Sequence, residues 1–195
     1  MVKQTIEFLV LLTALIIMPY QNKARAHKPE PESDPSWAKA VVHGKEHRTD
    51  LQFYLHEAFT GESATTVEVV PAPGSNQTFT GFGYIAMVDD PLRAGPEPTS
   101  KLVGRAQGLD GGASRPNGLS LITAVTYLFS DGIYNGSSLS VLGLNPTLKP
   151  ERELPVVGGT GVFRMARGHA FLHTVSFGAS SGIVIVGFNV TVFHH

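Results

Sequence analysis

The chain has 195 residues, 42% of them hydrophobic, enough to bury one sizeable core in a single domain. A formal net charge of -1 excludes the electrostatic footprint of a nucleic-acid binder and of a protein drawn to an anionic membrane surface, leaving neutral or weakly polar partners. With 21 Gly and 13 Pro the composition is that of a turn-rich β protein, and with no cysteine its stability must come from its core and from subunit contacts.

Lys3 opens a short charged region, Phe8 to Met18 is an apolar run, and Ala24-Arg25-Ala26 supplies a small-x-small cleavage site. The run is about half of the ~20 residues that span a bilayer, so residues 1–26 read as a secretory signal peptide and the chain as a secreted, extracellular protein with no membrane anchor. Residues 27–49, rich in Pro, Glu, Lys and His with Trp37 as the only large anchor, read as a flexible lead-in to a β domain over residues 50–195. His43 and His47 have the spacing of two metal ligands on a helical turn, but no helical pattern surrounds them and no metal site is expected. Of three sequons, Asn76 and Asn135 lie in turn-like contexts and are the expected glycosylation sites. Asn189 lies inside an apolar strand, and Asn145-Pro146-Thr147 is excluded by its proline.

Leu51, Phe53 and Leu55 alternate with Gln52, Tyr54 and His56 at the period of a half-buried strand. Further strands are expected over Phe79–Val88, Lys101–Leu109, Leu119–Phe129, Ser138–Leu144, Arg152–Val157, Val162–Thr174 and Gly182–His194, eight in all. The expected turns are Asp90-Pro91, Gly95-Pro96, Asp110-Gly111-Gly112, Asn135-Gly136, Gly158-Gly159 and Ser180-Ser181-Gly182. An even number of strands joined by short turns, with no crossover helix, predicts an all-β, eight-stranded antiparallel β-barrel. The last strand is apolar on both faces, as if a neighbouring subunit covered its outer side.

Val156-Val157-Gly158-Gly159-Thr160-Gly161 opens like a dinucleotide-binding loop. However, Arg164 stands where the third glycine belongs, a strand pattern follows instead of a helix, and no acidic residue lies about 20 positions on. A glycine-rich barrel corner is the better reading, carrying Arg152 on one side and Arg164 and Arg167 on the other, close to an opening for a ligand. Gly178-Ala179-Ser180-Ser181-Gly182 fits the spacing of a nucleophile elbow, yet Ile183–Val186 is a β-branched strand and not the helix an elbow needs. The ionisable residues near strand ends are more informative: Glu57, Asp89, Asp90, Arg105, Arg152, Arg164 and Arg167 lie in apolar surroundings, where a charge is costly unless paired or used. Acids opposite an arginine in an aromatic-lined barrel suit a phenolic ligand, whose oxygen they hold and whose proton they move; structural ion pairs are the alternative.

The segments F-Y-L-H-E at 53–57, G-F-G-Y-I-A-M-V-D-D-P-L at 81–92, S-K-L-V-G-R-A-Q-G-L at 100–109, Y-N-G-S-S-L-S-V-L-G-L-N-P at 134–146 and R-E-L-P-V-V-G-G-T-G-V-F-R-M-A-R-G at 152–168 resemble the plant dirigent proteins, in order and over the chain from about residue 50. The resemblance implies a barrel of the allene oxide cyclase type, commonly trimeric with a dimer as the other possibility, in a glycoprotein of the apoplast and cell wall. It implies a protein without cofactors that binds monolignol radicals or quinone methides and directs their stereoselective coupling into lignans, the radicals coming from a separate laccase or peroxidase. The alternatives it leaves open are a pterocarpan-synthase-like enzyme closing a ring on an isoflavanol-like substrate, and a cell-wall scaffold in defence or lignin deposition. Carried over position by position, the catalytic candidates are Glu57, Asp89 and Arg152, and the substrate contacts Tyr54, Phe82, Asp90, Asp110 and Asn145. Asn145 stands where lignan-forming members carry an acid, and Asp110 where an aromatic residue is usual. An asparagine donates a hydrogen bond but cannot exchange a proton.

Overall fold

The computed structural model describes residues 44–73, 81–115 and 119–195. The signal-like segment, most of the lead-in with Trp37 and His43, and the Asn76 sequon lie outside the described residues. Nine strands form among the described residues: β1 His47–Ala58, β2 Thr66–Val70, β3 Ile85–Arg93, β4 Leu102–Gly112, β5 Ser120–Phe129, β6 Ser138–Pro146, β7 Glu151–Thr160, β8 Arg167–Gly178 and β9 Ile183–His194. All pair antiparallel in the order β1-β9-β8-β7-β6-β5-β4-β3-β2, and β1 also pairs with β3, so eight strands close a barrel and β2 is an annex on its seam. Closure removes the free edges that an open sheet would expose.

The seam is shared. The C-terminal end of β3 pairs with β1 through Tyr54 and Leu55, while its N-terminal half pairs with β2 from Thr66 to Val70. Between the two partners the Asp89 N–H still donates to the Thr65 carbonyl, 2.8 Å away. The next backbone group on that side belongs to Pro91, which has no N–H to satisfy, so a proline is tolerated inside a strand where its partner changes. Asp90-Pro91 is therefore strand and not the expected turn.

Inward residues alternate along every strand: Phe53, Leu55 and Glu57 on β1; Ala86, Val88, Asp90 and Leu92 on β3; Thr123, Val125, Tyr127 and Phe129 on β5; Arg152, Leu154 and Val156 on β7. One end is packed solid by aromatic rings. Phe53 stacks on Phe188 at 5.3 Å and meets Tyr127 edge-on at 5.3 Å, while Phe163 stacks on Tyr134 at 5.1 Å and meets His194 at 5.3 Å. Close approach of strands is paid in side-chain size: a Cβ on Gly104 of β4 would lie 2.2 Å from the Leu128 carbonyl oxygen of β5.

Two further expected turns are strand instead. Gly158 and Gly159 stay in β7, opposite Ser140 and Leu139, and a register shift beside Ser140 leaves Val157 as a bulge. The corner is instead Gly161–Ala166, with Gly161 at φ 63° and a short 3-10 turn, at the packed end beside Phe163. Asp110-Gly111-Gly112 is likewise strand, pairing with Thr123, Ile122 and Leu121 of β5. The segment Gly178–Gly182 is a turn between two strands, without the helix an elbow requires.

On the outer surface, β9 is less apolar than its letters suggest, because Asn189 is exposed and Gly187 is covered by the His173 ring. Among the exposed apolar side chains of the barrel wall are Met87, Leu109, Ile122, Leu142 and Leu144 on β3 to β6, with others on β2, β7, β8 and β9. Asn135 is exposed in the turn before β6.

Candidate acid-base cavity

The end opposite the aromatic plug is open. A cavity of about 800 Å³ runs down the barrel axis to Tyr127 and Phe188, with Phe59, Leu148 and Phe177 among the residues of its mouth. Its wall is largely apolar, and its polar groups fall on two opposed sides. Following the strand order around the barrel, Glu57 on β1, Asp90 on β3 and Asp110 on β4 are neighbours. Arg152 on β7 lies four strands from Asp90, and Asn145 on β6 lies four strands from Glu57. In an eight-stranded barrel four strands is half a turn, so an acidic wall faces a guanidinium and an amide.

The acidic wall holds protons. Burial, reinforced by the charge of Asp90, pushes the Glu57 carboxyl up to about 8, against a 2.8 Å hydrogen bond from the Thr66 hydroxyl. Burial and the charge of Asp110 push Asp90 up to about 7. Asp90 is 1% exposed and neither of its carboxyl oxygens makes a hydrogen bond; Thr65 and Thr66 lie near enough to temper the rise. Asp110 is also raised by burial, although the Thr123 hydroxyl donates to it at 2.5 Å. Because Glu57 and Asp90 repel each other's charge, they titrate as a pair, and near neutral pH the wall carries at least one carboxylic acid able to donate a proton.

Burial also raises the phenols of Tyr84 and Tyr127, with Asp110 adding to both, so each stays a neutral hydroxyl. On the facing side Arg152 is 6% exposed; its Nη2 donates to the Thr174 hydroxyl at 3.0 Å, and its buried Nε has no partner. Burial pulls the guanidinium below its ordinary range and Glu57 opposes that shift. A guanidinium remains charged under such conditions. Among the described residues no cluster of three or more His, Cys, Asp or Glu has the arrangement of a metal site.

The structure brings together Glu57, Asp90, Asp110, Asn145 and Arg152 of the sequence candidates. Three others are elsewhere. Asp89 faces outward, where it accepts from Arg105 Nε at 2.5 Å and from Gln107 at 3.0 Å in a solvent-exposed pair, since the inward residue of β3 is its neighbour Asp90. Tyr54 lies on the outer face, because β1 turns Phe53 and Leu55 inward. Phe82 precedes β3 and is 48% exposed, with the Arg115 guanidinium 5.3 Å from its ring centre.

The arginines around the glycine-rich segment also separate. Arg152 lines the cavity at the start of β7, whereas Arg164 and Arg167 are at the packed end, the latter paired with Glu46 at 2.5 Å. The glycine-rich corner is thus remote from the cavity mouth. Sequence reasoning missed Thr66, Tyr84, Thr123 and Tyr127 as site residues. For Thr123 and Tyr127 a signal existed, since both share the alternation of Val125 and Phe129.

Fold and site together define a small closed antiparallel barrel with an apolar cavity, of a volume typical of small-molecule sites, equipped with proton donors and a fixed cation. A family model described as "Dirigent-like protein" matches residues 48–193, and the chain belongs to the dirigent family. It is 42% identical to Dirigent protein 23 of Arabidopsis thaliana over 187 residues, covering 95% of each chain. It is also 42% identical to Pterocarpan synthase 1 of Glycyrrhiza echinata over 148 residues, 75% of this chain and 78% of the relative. A solved structure of a pterocarpan synthase dirigent protein superposes with a TM-score of 0.72 at 40% identity, covering 80% of this chain and 89% of that one.

Proposed function

We propose that this dirigent protein binds a phenylpropanoid-derived phenol in its barrel and directs the stereochemistry of a reaction that passes through a quinone methide. The observation that carries the reading is the wall of raised carboxyls facing a buried arginine across an apolar cavity. A quinone methide needs its oxygen held and polarised, which suits Arg152, and needs protons delivered and taken up within a water-poor site, which suits Glu57 and Asp90.

Two routes use these groups. In ring closure, a phenol with a benzylic hydroxyl loses water: an acid of the pair protonates the departing hydroxyl, and the phenol proton passes to an ionised carboxylate. A second hydroxyl of the substrate then adds to the benzylic carbon and gives its proton to the spent acid, while the quinone-methide oxygen regains a proton from the other carboxyl. The net change is loss of one water and both carboxyls are restored. In radical coupling, two phenoxy radicals supplied by a separate laccase or peroxidase join and the resulting quinone methides are closed by their own hydroxyls. The cavity volume of about 800 Å³, in the upper part of the roughly 300–1,000 Å³ range of small-molecule sites, favours keeping this second route because it accommodates two aromatic rings.

Chiral analysis of products separates the routes. An isoflavanol-like phenol incubated with the protein and no oxidase yields one enantiomer of the closed ring if the first route operates. Coniferyl alcohol with a laccase yields enantiomerically enriched lignan if the second does. Racemic or absent product in both arms at saturating protein refutes the reading. Export is supported by the signal-like segment and by the exposed Asn135 sequon, and self-association by the outward apolar side chains of β3 to β6. Mass measurement of the secreted glycoprotein, before and after glycosidase treatment, tests both.

A further inference from the structure

Asn145 is a polar residue of the cavity wall for which neither route assigns a task. It is 8% exposed, it lines the cavity from the end of β6, and its side-chain oxygen Oδ1 has no hydrogen-bond partner. Its cross-strand neighbour on β5 is Leu121, which offers nothing to bond. A buried amide oxygen is an acceptor with no proton of its own to give, so only a donor satisfies it. The amide sits half a turn around the barrel from Glu57, on the strand next to that of Arg152.

We propose that Asn145 is a specificity-determining residue that reads a free hydroxyl of the ligand on the side of the cavity opposite the Glu57–Asp90 wall, beside Arg152, so that an ether at that position is rejected. The inference rests on the phenolic reading given under Proposed function and deepens it. An O-methyl group has no hydrogen to offer. It leaves Oδ1 buried and unpaired in the complex, a penalty that corresponds to roughly 5- to 150-fold in affinity. It also adds volume against Leu121 and Leu148, which line the same region. An aspartate at this position would accept the same bond but bring a fourth carboxyl into the cavity, raising the cost of an anionic ligand. The asparagine supplies the acceptor without the charge.

The test uses the full mature chain and three probes: an isoflavanone with one hydroxyl on each terminal ring, and its two mono-O-methyl ethers, with dissociation constants from titration calorimetry. The diol binds best, and one of the ethers binds roughly 5- to 150-fold more weakly. In Asn145→Leu, similar in size but without an acceptor, the diol loses its advantage over that ether. In Asn145→Asp the preference for the free hydroxyl persists. Circular dichroism of each variant establishes that it is folded, and since the readout is a ratio of affinities, a general loosening of the barrel does not mimic it. Equal binding of the diol and both ethers by the wild type, or an unchanged ratio in Asn145→Leu, overturns the proposal. If none of the three binds, the phenolic reading itself fails and the role of Asn145 falls with it.

Discussion

Replacing Asp90 with Asn should make the protein more stable than the wild type at pH 8 and by less than half as much at pH 5. In the unfolded chain this carboxyl ionises near its ordinary 3.8; in the folded barrel burial holds it protonated until about 7. Between those values the folded state binds more protons than the unfolded state, so stability falls as pH rises from about 4 to about 7 and is level above that. A shift of about three pH units corresponds to about 4 kcal/mol for a group 1% exposed. Part of that shift is shared with Glu57, so removing Asp90 alone should recover about 2–4 kcal/mol at pH 8, or roughly 5–15 °C in Tm. Denaturant melts of wild type and Asp90→Asn at pH 5 and pH 8 measure the difference. Equal effects at the two pH values, or a less stable variant at pH 8, would refute the argument that this wall stores unfavourable charge for use on a ligand.

The neighbouring Asp89→Asn should change stability by less than about 1 kcal/mol at either pH and leave ligand affinity unchanged, because its pair with Arg105 is on the solvent side; the same melts and a ligand titration check it. Phe53→Ala should cost about 3–5 kcal/mol in chemical denaturation, since the ring is 2% exposed and packs on Tyr127, Phe129 and Phe188. Gly161→Ala should cost roughly 1–3 kcal/mol by thermal melting, with a φ of 63° to maintain and a Cβ 2.5 Å from Ser137 Oγ, the atom that accepts the Val162 N–H.

Strand parity explains how far the sequence could be read. On β1 the alternation of Phe53 and Leu55 with Gln52 and His56 is plain, so Glu57 follows inward and Tyr54 outward from letters alone. On β3 it is not: Ile85 and Met87 point outward at 38% and 49% exposure, while Ala86 and Val88 point inward. An apolar outer face erases the period of two, and a slip of one residue exchanges Asp89 for Asp90. The glycine-rich segment misled for a related reason. Its first two glycines continue the ladder of β7 around a bulge, and a bulge is set by pairing with β6 and not by local sequence. The annex β2 has five residues, too few for a period to register, and its valines at 67, 69 and 70 are all exposed. The closed barrel and the inward arginine at 152 were legible because the remaining turns, at Gly95-Pro96, Asn135-Gly136 and Ser180-Ser181-Gly182, and the β7 alternation Arg152, Leu154, Val156 left one arrangement.

In the proposed complex the ligand's reacting oxygen sits between the carboxyl wall and Arg152. A crystal structure of the protein with a bound hydroxylated isoflavanone tests it most directly. The ring system should lie inside the barrel above Tyr127, with a phenolic or carbonyl oxygen within hydrogen-bond distance of Arg152 and the benzylic carbon turned towards Glu57 and Asp90. A ligand on the outer face, or one inside the barrel whose oxygens avoid all three residues, would contradict it.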